Sequence, residues 1–251
     1  MNEPALRIEG LTRRFGGLVA VDDVDLVLQR GKLNAIIGPN GAGKTTLFNL
    51  ITGLLAPDRG RVWFNGVDLA GRKPHDVVAQ GVSRTLQIKS VFGGLTVADN
   101  VRAAVMTRRG IAHPFRRAGG YGDVAREVEG ILEEVGLSAQ AGRSASTLAY
   151  GDVALLEIAL ALANRPKLLL LDEPICGMSP QETERTVGKI KDLSKQIDVV
   201  IIEHDMEVVF SIADDITVMA QGRILARGAP AEIAANAEVQ TVYLGSPEDD
   251  E

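Results

Sequence analysis

The sequence predicts an α/β fold with a parallel sheet at its core, an antiparallel β region before it and a helical insertion within it. Three observations support this prediction. Short β-like runs open the chain, the segment between about residues 95 and 148 has helical character, and strand and helix patterns alternate after it. The 251-residue chain is 45% hydrophobic and 24% charged, which is typical of a globular protein and argues against disorder.

The first part of the chain contains β-rich runs and one short helix. The 33–37 run is continuously apolar and ends at a Gly/Pro/Asn cluster, as buried parallel strands do. An Asn-Gly pair indicates a tight turn further on. The predicted elements are antiparallel strands at 6–15 and 19–28, the buried strand at 33–37, a helix at 44–52 and small strands at 61–65 and 66–69.

The helical insertion is predicted from a helix start and an amphipathic stripe. Thr96 and Asp99 have the spacing of a capping box, and residues 123–135 place apolar side chains on one face before Gly136 ends the helix. Between Asp99 and Asp123 lie five arginines and no acidic residue. We interpret this stretch as a solvated basic loop, with contact to lipid headgroups or a membrane subunit as the alternative.

The C-terminal part alternates between strands and helices, which favours a parallel sheet. The predicted elements are helix 152–163, strand 168–172, helix 180–196, strand 198–203, helix 205–213 and strand 216–220. We expect a single domain over 1–251, with a core at about 1–90 and 150–251 and a helical subdomain at about 91–149.

Composition excludes several classes of protein. The formal charge of −6 disfavours a basic nucleic-acid binder. A single cysteine, Cys176, precludes an internal disulfide, and we expect it to pack as a small residue. The N-terminus lacks the pattern of a secretory signal, and the apolar stretch 153–163 is far shorter than the ~20 residues of a membrane span.

A phosphate-binding loop follows the 33–37 strand. Its sequence matches G-x-x-x-x-G-K-[ST], in which glycines turn backbone N–H groups toward phosphate oxygens. Lys44 supplies a cation for the β- and γ-phosphates, Thr45 offers a hydroxyl to Mg²⁺, and the following helix presents its positive end to the same anion. The predicted cofactor-binding residues here are Gly38, Pro39, Asn40, Gly41, Ala42, Gly43, Lys44, Thr45 and Thr46.

Two carboxylates end the apolar strand that begins at Leu168. Asp172 is placed to hold Mg²⁺, and Glu173 to polarise a water for attack on the γ-phosphate. His204 ends the next strand, at the sheet edge where ligands bind. Gln87 follows a short β-like run and is, taken alone, an ordinary polar residue.

Two other nucleotide-dependent activities fit less well. A phosphotransferase also uses a phosphate loop, but Glu173 and His204 suit attack by water better. A GTPase needs an Asn-Lys-x-Asp base reader, and the sequence has none.

Together these motifs resemble the ATP-binding cassette (ABC) ATPases over essentially the whole chain. The resemblance implies a P-loop NTPase fold with a RecA-like sheet, and ATP and Mg²⁺ as ligands. It implies that Phe15 stacks on adenine, that Gln87 senses Mg²⁺ and the membrane partner, that Glu173 is the catalytic base and that His204 is the switch histidine. The metal-site residues it implies are Thr45, Gln87 and Asp172.

Residues 148–152, Leu-Ala-Tyr-Gly-Asp, resemble the family's signature segment, which caps the nucleotide of a partner cassette. Ala149 and Gly151 are therefore also expected at a nucleotide. Two substitutions depart from the family pattern: Ala149 lacks the serine hydroxyl, and Asp152 puts a carboxylate where a neutral glutamine is usual. A carboxylate near a triphosphate repels it, so full activity of the capped site stays open, although we interpret the two substitutions as drift within a subgroup of the family.

The finer resemblance is to the LivG-like ATPases of branched-chain amino-acid importers. It depends on short segments such as 15–18, 84–87, 203–206 and 242–245. It implies import of branched-chain amino acids or of a related small polar solute such as urea, amides or small acids. It also implies a second ABC subunit, transmembrane permease subunits, an indirect solute-binding protein and peripheral attachment to the cytoplasmic face of the inner membrane. A lone chain should bind ATP but hydrolyse it slowly. The alternative is an ABC ATPase that acts on nucleic acid or ribosomes.

Overall fold

A computed structural model describes residues 4–85, 91–111 and 122–244. Two sheets and a set of helices make up this part of the chain. The strands are β1 (Leu6–Phe15), β2 (Leu18–Leu28), β3 (Leu33–Ile37), β4 (Arg59–Phe64), β5 (Val67–Asp68), β6 (Val82–Arg84), β7 (Leu168–Asp172), β8 (Asp198–Ile202), β9 (Asp215–Ala220) and β10 (Arg223–Gly228). The helices are α1 (Lys44–Ile51), α2 (Pro74–Gln80), α3 (Val97–Arg108), α4 (Gly122–Val135), α5 (Tyr150–Leu162), α6 (Pro180–Ser194), α7 (Met206–Ile212), α8 (Pro230–Ala234) and α9 (Ala237–Leu244).

The larger sheet has the order β10-β9-β3-β8-β7-β6 and is parallel except for β10. Every residue of β3, β7 and β8 is buried. Their continuous Leu, Ile and Val runs suit this position, because a parallel sheet is covered on both faces. The in-register pairing of Asp172 with Ile202 aligns the carboxyl ends of β7 and β8.

The smaller sheet is antiparallel, with the order β2-β1-β4-β5. The turn between β4 and β5 consists of Asn65 at φ 49° and Gly66 at φ 74°. Two successive positive φ values are what a two-residue hairpin turn requires, which explains the Asn-Gly pair.

The larger sheet separates two apolar cores. Ala35 and Ile37 of β3 face a core shared with α3, α4 and α5, whereas Ile36 faces a core shared with α1 and the smaller sheet. This alternation follows from the two-residue period of a strand.

The helical segment between β6 and β7 is tied together by Glu127 on α4. Its carboxylate accepts hydrogen bonds from Arg108 at 2.8 Å, from Arg165 at 2.9 Å and from Arg109. Burial disfavours the ionised carboxylate, but the hydrogen bonds from Arg109 and Arg108 outweigh it and lower the pKa of Glu127. Three cations from two parts of the chain, the end of α3 and the segment after α5, thus converge on one acid.

The structure confirms the predicted α/β class and most of the predicted elements, with shifts of a few residues at their ends. Thr96 caps α3 by accepting the N–H of Asp99, and Gly136 at φ 76° follows α4, as predicted. The predictions for Gln87, Arg116 and Arg117 fall outside the described residues. The predicted basic loop is wrong for the other three arginines of that stretch. Arg102 and Arg108 lie on α3 and Arg109 follows it, and the three pair with Asp99 or Glu127. None of the helices in the described ranges has the length and apolarity needed to cross a lipid bilayer.

Candidate nucleotide-binding and hydrolysis site

The predicted phosphate loop joins β3 to α1, and close backbone contacts explain two of its glycines. Gly38 has φ 152°, and a Cβ there would collide with the carbonyl oxygen of Met219. Gly43 has φ 100°, and a Cβ would collide with the carbonyl oxygen of Ala20. Neighbouring strands therefore hold the loop on both sides, and only glycine fits these two positions.

Lys44 begins α1 and its ammonium lies within the loop. Nζ donates hydrogen bonds to the carbonyl oxygens of Gly38, at 2.6 Å, and Pro39, at 3.0 Å. Burial lowers the pKa of Lys44, and attraction by Glu173 and then Asp172 opposes this shift. Asp172, the last residue of β7, and Glu173, which follows it, thus both act electrostatically on the loop lysine.

The other loop positions differ in exposure. Asn40 and Gly41 are open to solvent, Ala42 is buried, and Thr45 and Thr46 are half-buried in the first turn of α1. The hydroxyl of Thr45 is therefore at the helix end where an anion and its counter-ion bind.

Asp172 is buried at the end of β7 and faces Arg84 at the end of β6. Arg84 pairs with one carboxylate oxygen and donates to Asn49 Oδ1 at 2.6 Å. The other oxygen, Oδ1, is buried and has no hydrogen-bond partner among the described residues. A buried acceptor of this kind fits a hard cation or its water shell, so Asp172 and Thr45 suit a Mg²⁺ ion.

Glu173 and His204 meet at the carboxyl edge of the sheet. Glu173 has φ 50° and its N–H donates to the Ile202 carbonyl at 2.9 Å, which fixes the side chain beyond β7. Its Oε2 lies 3.5 Å from Nε2 of His204. The structure therefore brings together the predicted base and the predicted strand-end histidine.

Glu203 is a site-forming residue that the sequence analysis missed. Its buried carboxylate accepts the backbone N–H of Ile175 at 3.1 Å and that of His204 at 3.2 Å. Burial raises the pKa of Glu203, although these hydrogen bonds favour the ionised form. Glu203 joins the segment after Glu173 to the segment that carries His204. Its place before His204 was the signal that could have revealed it.

The signature-like segment begins α5, with Ala149 as the N-cap residue. The N–H of Gly151 donates to Oε1 of Glu182 at 3.0 Å, and hydrogen bonds from Ser179 and Gly151 lower the pKa of Glu182. Asp152 is buried, and Arg185 donates to its Oδ1 at 2.7 Å. This ion pair partly offsets the negative charge that the sequence places in the segment.

Phe15 and Tyr243 are aromatic residues from opposite ends of the chain. Phe15 ends β1 with its ring 43% exposed and the Arg13 guanidinium 5.0 Å from the ring centroid. Burial raises the pKa of Tyr243, on α9, to about 12. Phe15 thus offers a stacking surface, whereas the Tyr243 hydroxyl is buried without a hydrogen-bond partner among the described residues.

The predicted packing role of Cys176 is wrong, because its side chain is exposed. Its N–H donates to the Glu173 carbonyl at 3.3 Å, so both residues belong to one tight turn. Sulfur, the Glu173 carboxylate and a His204 ring nitrogen lie within 4.8 Å of one another.

Comparison with known families gives two matches. The family model described as ABC transporter matches residues 21–176. A second model, described as branched-chain amino acid ATP-binding cassette transporter, matches residues 223–249. The first match covers more than half of the chain and includes the phosphate loop, Asp172 and Glu173.

Curated relatives match over nearly the full length. The high-affinity branched-chain amino acid transport ATP-binding protein BraF of Pseudomonas aeruginosa is 40% identical, with 98% of this chain and 99% of the relative covered. LivG of Escherichia coli (strain K12), with the same description, is 39% identical over the same shares. A probable LivG of Archaeoglobus fulgidus is 32% identical, with 96% of this chain and 95% of the relative covered.

Solved structures agree with these relatives. An ATP-binding cassette of an ABC transporter in its ADP conformation has a TM-score of 0.85 and 30% identity, with 98% of this chain and all of that chain covered. A nucleotide-free ATP-binding cassette has a TM-score of 0.84 and 30% identity, with 97% of this chain and all of that chain covered.

Proposed function

This chain belongs to the ABC transporter family and is an ATPase, and we propose that it powers import of branched-chain amino acids. The single observation that carries this proposal is the similarity, at about 40% identity over nearly the whole chain, to branched-chain amino acid transport ATP-binding proteins. Urea, amides and small acids are related solutes that the transport assay below separates from amino acids. The full-length similarity to transport subunits disfavours the alternative of an ABC ATPase that acts on nucleic acid or ribosomes.

ATP binding depends on the attraction between the Lys44 ammonium and the phosphate groups. In the structure the Lys44 ammonium donates to two loop carbonyls, and its pKa is lowered by burial. The β- and γ-phosphates replace these carbonyl oxygens as acceptors for the ammonium. The loop amides and the N-terminus of α1 bind the remaining phosphate oxygens. Phe15 supplies the stacking surface for adenine. When bound, Mg²⁺ neutralises phosphate charge, with Thr45, Asp172 and Gln87 as its proposed protein contacts.

Hydrolysis needs a base near the γ-phosphate. Glu173 is half-buried, anchored through its N–H and 3.5 Å from His204. We assign it the role of orienting the attacking water and accepting its proton. We assign His204 a hydrogen bond to the γ-phosphate, with Glu203 as the positioning residue that fixes the backbone on either side.

A lone chain holds one half of each expected nucleotide sandwich. Ala149 and Gly151, at the start of α5, are proposed to cap the nucleotide of a second ABC subunit. We propose a core at about 1–90 and 150–251 and a helical subdomain at about 91–149 that contacts transmembrane permease subunits. A solute-binding protein acts through those subunits, and the chain attaches peripherally to the cytoplasmic face of the inner membrane.

The test combines hydrolysis, binding and transport. Glu173→Gln should retain ATP, measured by equilibrium dialysis, but lower turnover by about 10²- to 10⁴-fold, because it loses the base. Lys44→Ala should weaken ATP binding by at least about tenfold, as expected for a lost charge-assisted hydrogen bond. Glu129→Gln, an exposed acid on α4, is the matched control and should change neither.

Transport is measured with the chain assembled with its co-purified membrane subunits in proteoliposomes. ATP-dependent uptake of leucine, isoleucine or valine is the expected result. Uptake of urea or amides alone would overturn the amino-acid assignment. Wild-type turnover by Glu173→Gln would overturn the assignment of the base.

A further inference from the structure

The proposed catalytic base belongs to a mixed set of sulfur, nitrogen and oxygen metal ligands. The ligand atoms of Glu173, Cys176 and His204 lie within 4.8 Å of one another. No second group of this kind occurs in residues 4–85, 91–111 and 122–244. Cys176 is the single cysteine of the chain, so the proposed site contains the one thiol that the sequence offers.

The backbone fixes the starting points of the three side chains. Glu173 and Cys176 belong to one turn, closed by the Cys176 N–H bond to the Glu173 carbonyl at 3.3 Å. His204 follows β8, whose Ile202 pairs in register with Asp172 of β7. The Glu203 carboxylate bonds the backbone of both segments and holds them side by side.

The separations are close to those of a zinc site. Zn–S bonds of about 2.3 Å and Zn–N or Zn–O bonds of about 2.0 Å place one sulfur, one nitrogen and one oxygen ligand roughly 3.3–3.5 Å apart in a tetrahedral site. Contraction from 4.8 Å needs a shift of at most about 1.5 Å, which side-chain rotation provides, because Cys176 is exposed and the His204 side chain is 48% exposed.

The ligand chemistry selects the metal. Thiolate, imidazole and carboxylate together suit Zn²⁺, whereas Mg²⁺ prefers an all-oxygen shell. Three protein ligands leave a fourth position for water. Glu173 and Cys176 also line a cavity of about 150 Å³, which His204 does not line.

We propose that Glu173, Cys176 and His204 form a Zn²⁺ site whose occupation inhibits ATP hydrolysis. Zinc occupies the carboxylate that orients water and the imidazole beside it, so the same side chains are withdrawn from the reaction. The inhibitory part rests on the proposed function, whereas the binding part rests on geometry alone. The two parts are therefore tested separately.

Binding is measured on the nucleotide-free full chain by titration with Zn²⁺ against a chromophoric chelator. We expect one equivalent to bind, with affinity at least tenfold lower in Cys176→Ala and in His204→Ala. His75→Ala, which changes an exposed histidine elsewhere, is the control and should keep wild-type affinity. Co²⁺ in place of Zn²⁺ should give a thiolate charge-transfer absorption that Cys176→Ala lacks. Equal affinity in Cys176→Ala, or no absorption, would overturn the site.

Inhibition is measured at fixed Mg²⁺ and ATP. Wild type should lose activity as free Zn²⁺ rises, with recovery on adding chelator, while Cys176→Ala and Cys176→Ser stay active and insensitive. Zinc that binds without slowing hydrolysis overturns the regulatory part and leaves the ATPase assignment intact. Equal inhibition of both cysteine variants also overturns the regulatory part.

Discussion

Replacing Arg84 with methionine removes the cation that faces Asp172. The two side chains are 6% and 0% exposed, so this pair is shielded from water. Arg84 also donates to Asn49 at 2.6 Å and lies 5.4 Å from the centroid of the Phe48 ring. The substitution keeps an apolar stem in the same space but leaves a buried carboxylate without its ion-pair partner.

The expected loss of folding stability is large because the Asp172 carboxylate keeps its charge in a buried position after Arg84 is removed. Breaking a buried ion pair by removing one partner costs about 3–5 kcal/mol. For a chain of this length a change of 1 kcal/mol shifts Tm by roughly 2–4 °C, so Arg84→Met should lower Tm by about 6–20 °C. Neutralising the carboxylate as well, in Arg84→Met with Asp172→Asn, should recover at least about 1 kcal/mol of this loss.

The assay is urea and thermal unfolding of the nucleotide-free protein without Mg²⁺. Arg126→Met is the matched control, since Arg126 pairs with Asp123 at the surface, where the side chains are 77% and 73% exposed. An exposed pair contributes at most about 1 kcal/mol, so this variant should shift Tm by no more than about 4 °C. Equal losses in the two arginine variants, or no recovery in the double variant, would refute the reasoning.

Three further variants test the loop and two acids of opposite behaviour. Gly43→Ala should lower the free energy of unfolding, measured with urea, by at least about 1–3 kcal/mol and weaken ATP binding, because the added Cβ collides with a backbone carbonyl. Gly188→Ala within α6 is the control. A Cβ there meets nothing within 4 Å, so this variant should be neutral or stabilising by up to ~1 kcal/mol. Glu203 has a raised pKa, so its contribution to stability is fully present below the ordinary carboxyl pKa of about 4.3 and lost as pH rises through the raised value; Glu203→Gln should abolish this decline in unfolding experiments across pH 4–8. Glu127 has a lowered pKa, so its contribution is present above about pH 4.3 and lost as pH falls; Glu127→Gln should therefore destabilise the protein at pH 7, with a difference from wild type that shrinks in unfolding curves toward pH 3.

Local patterns were sufficient to predict the phosphate loop and the strand that ends in Asp172. In both, the information is contiguous: a glycine-rich turn between an apolar strand and a helix, and an apolar run followed by two acids. The α/β class was also predictable from local patterns, because strand and helix patterns alternate along the sequence.

Long-range contacts were not predictable in this way. Arg84 reaches Asp172 only because β6 pairs with β7, although these strands are far apart in sequence. The burial of Asp152 depends on Arg185 of α6, and the role of Glu203 depends on two turns meeting at one carboxylate. Residues such as these look like ordinary surface acids and bases until the topology is known. The elements at the C-terminal end, β10, α8 and α9, were missed because they are short and lack a clear periodicity.

Glu173 has a left-handed backbone conformation, which lowers stability, and carries the carboxylate that we propose as the catalytic base. A glutamate in that conformation costs about 1 kcal/mol or more, which glycine would largely avoid. Selection for a durable fold alone would therefore drift toward glycine at this position. Retaining glutamate there favours catalysis at the expense of stability. Variants selected for thermal stability should therefore gain glycine at position 173, whereas variants selected for ATP turnover should keep glutamate.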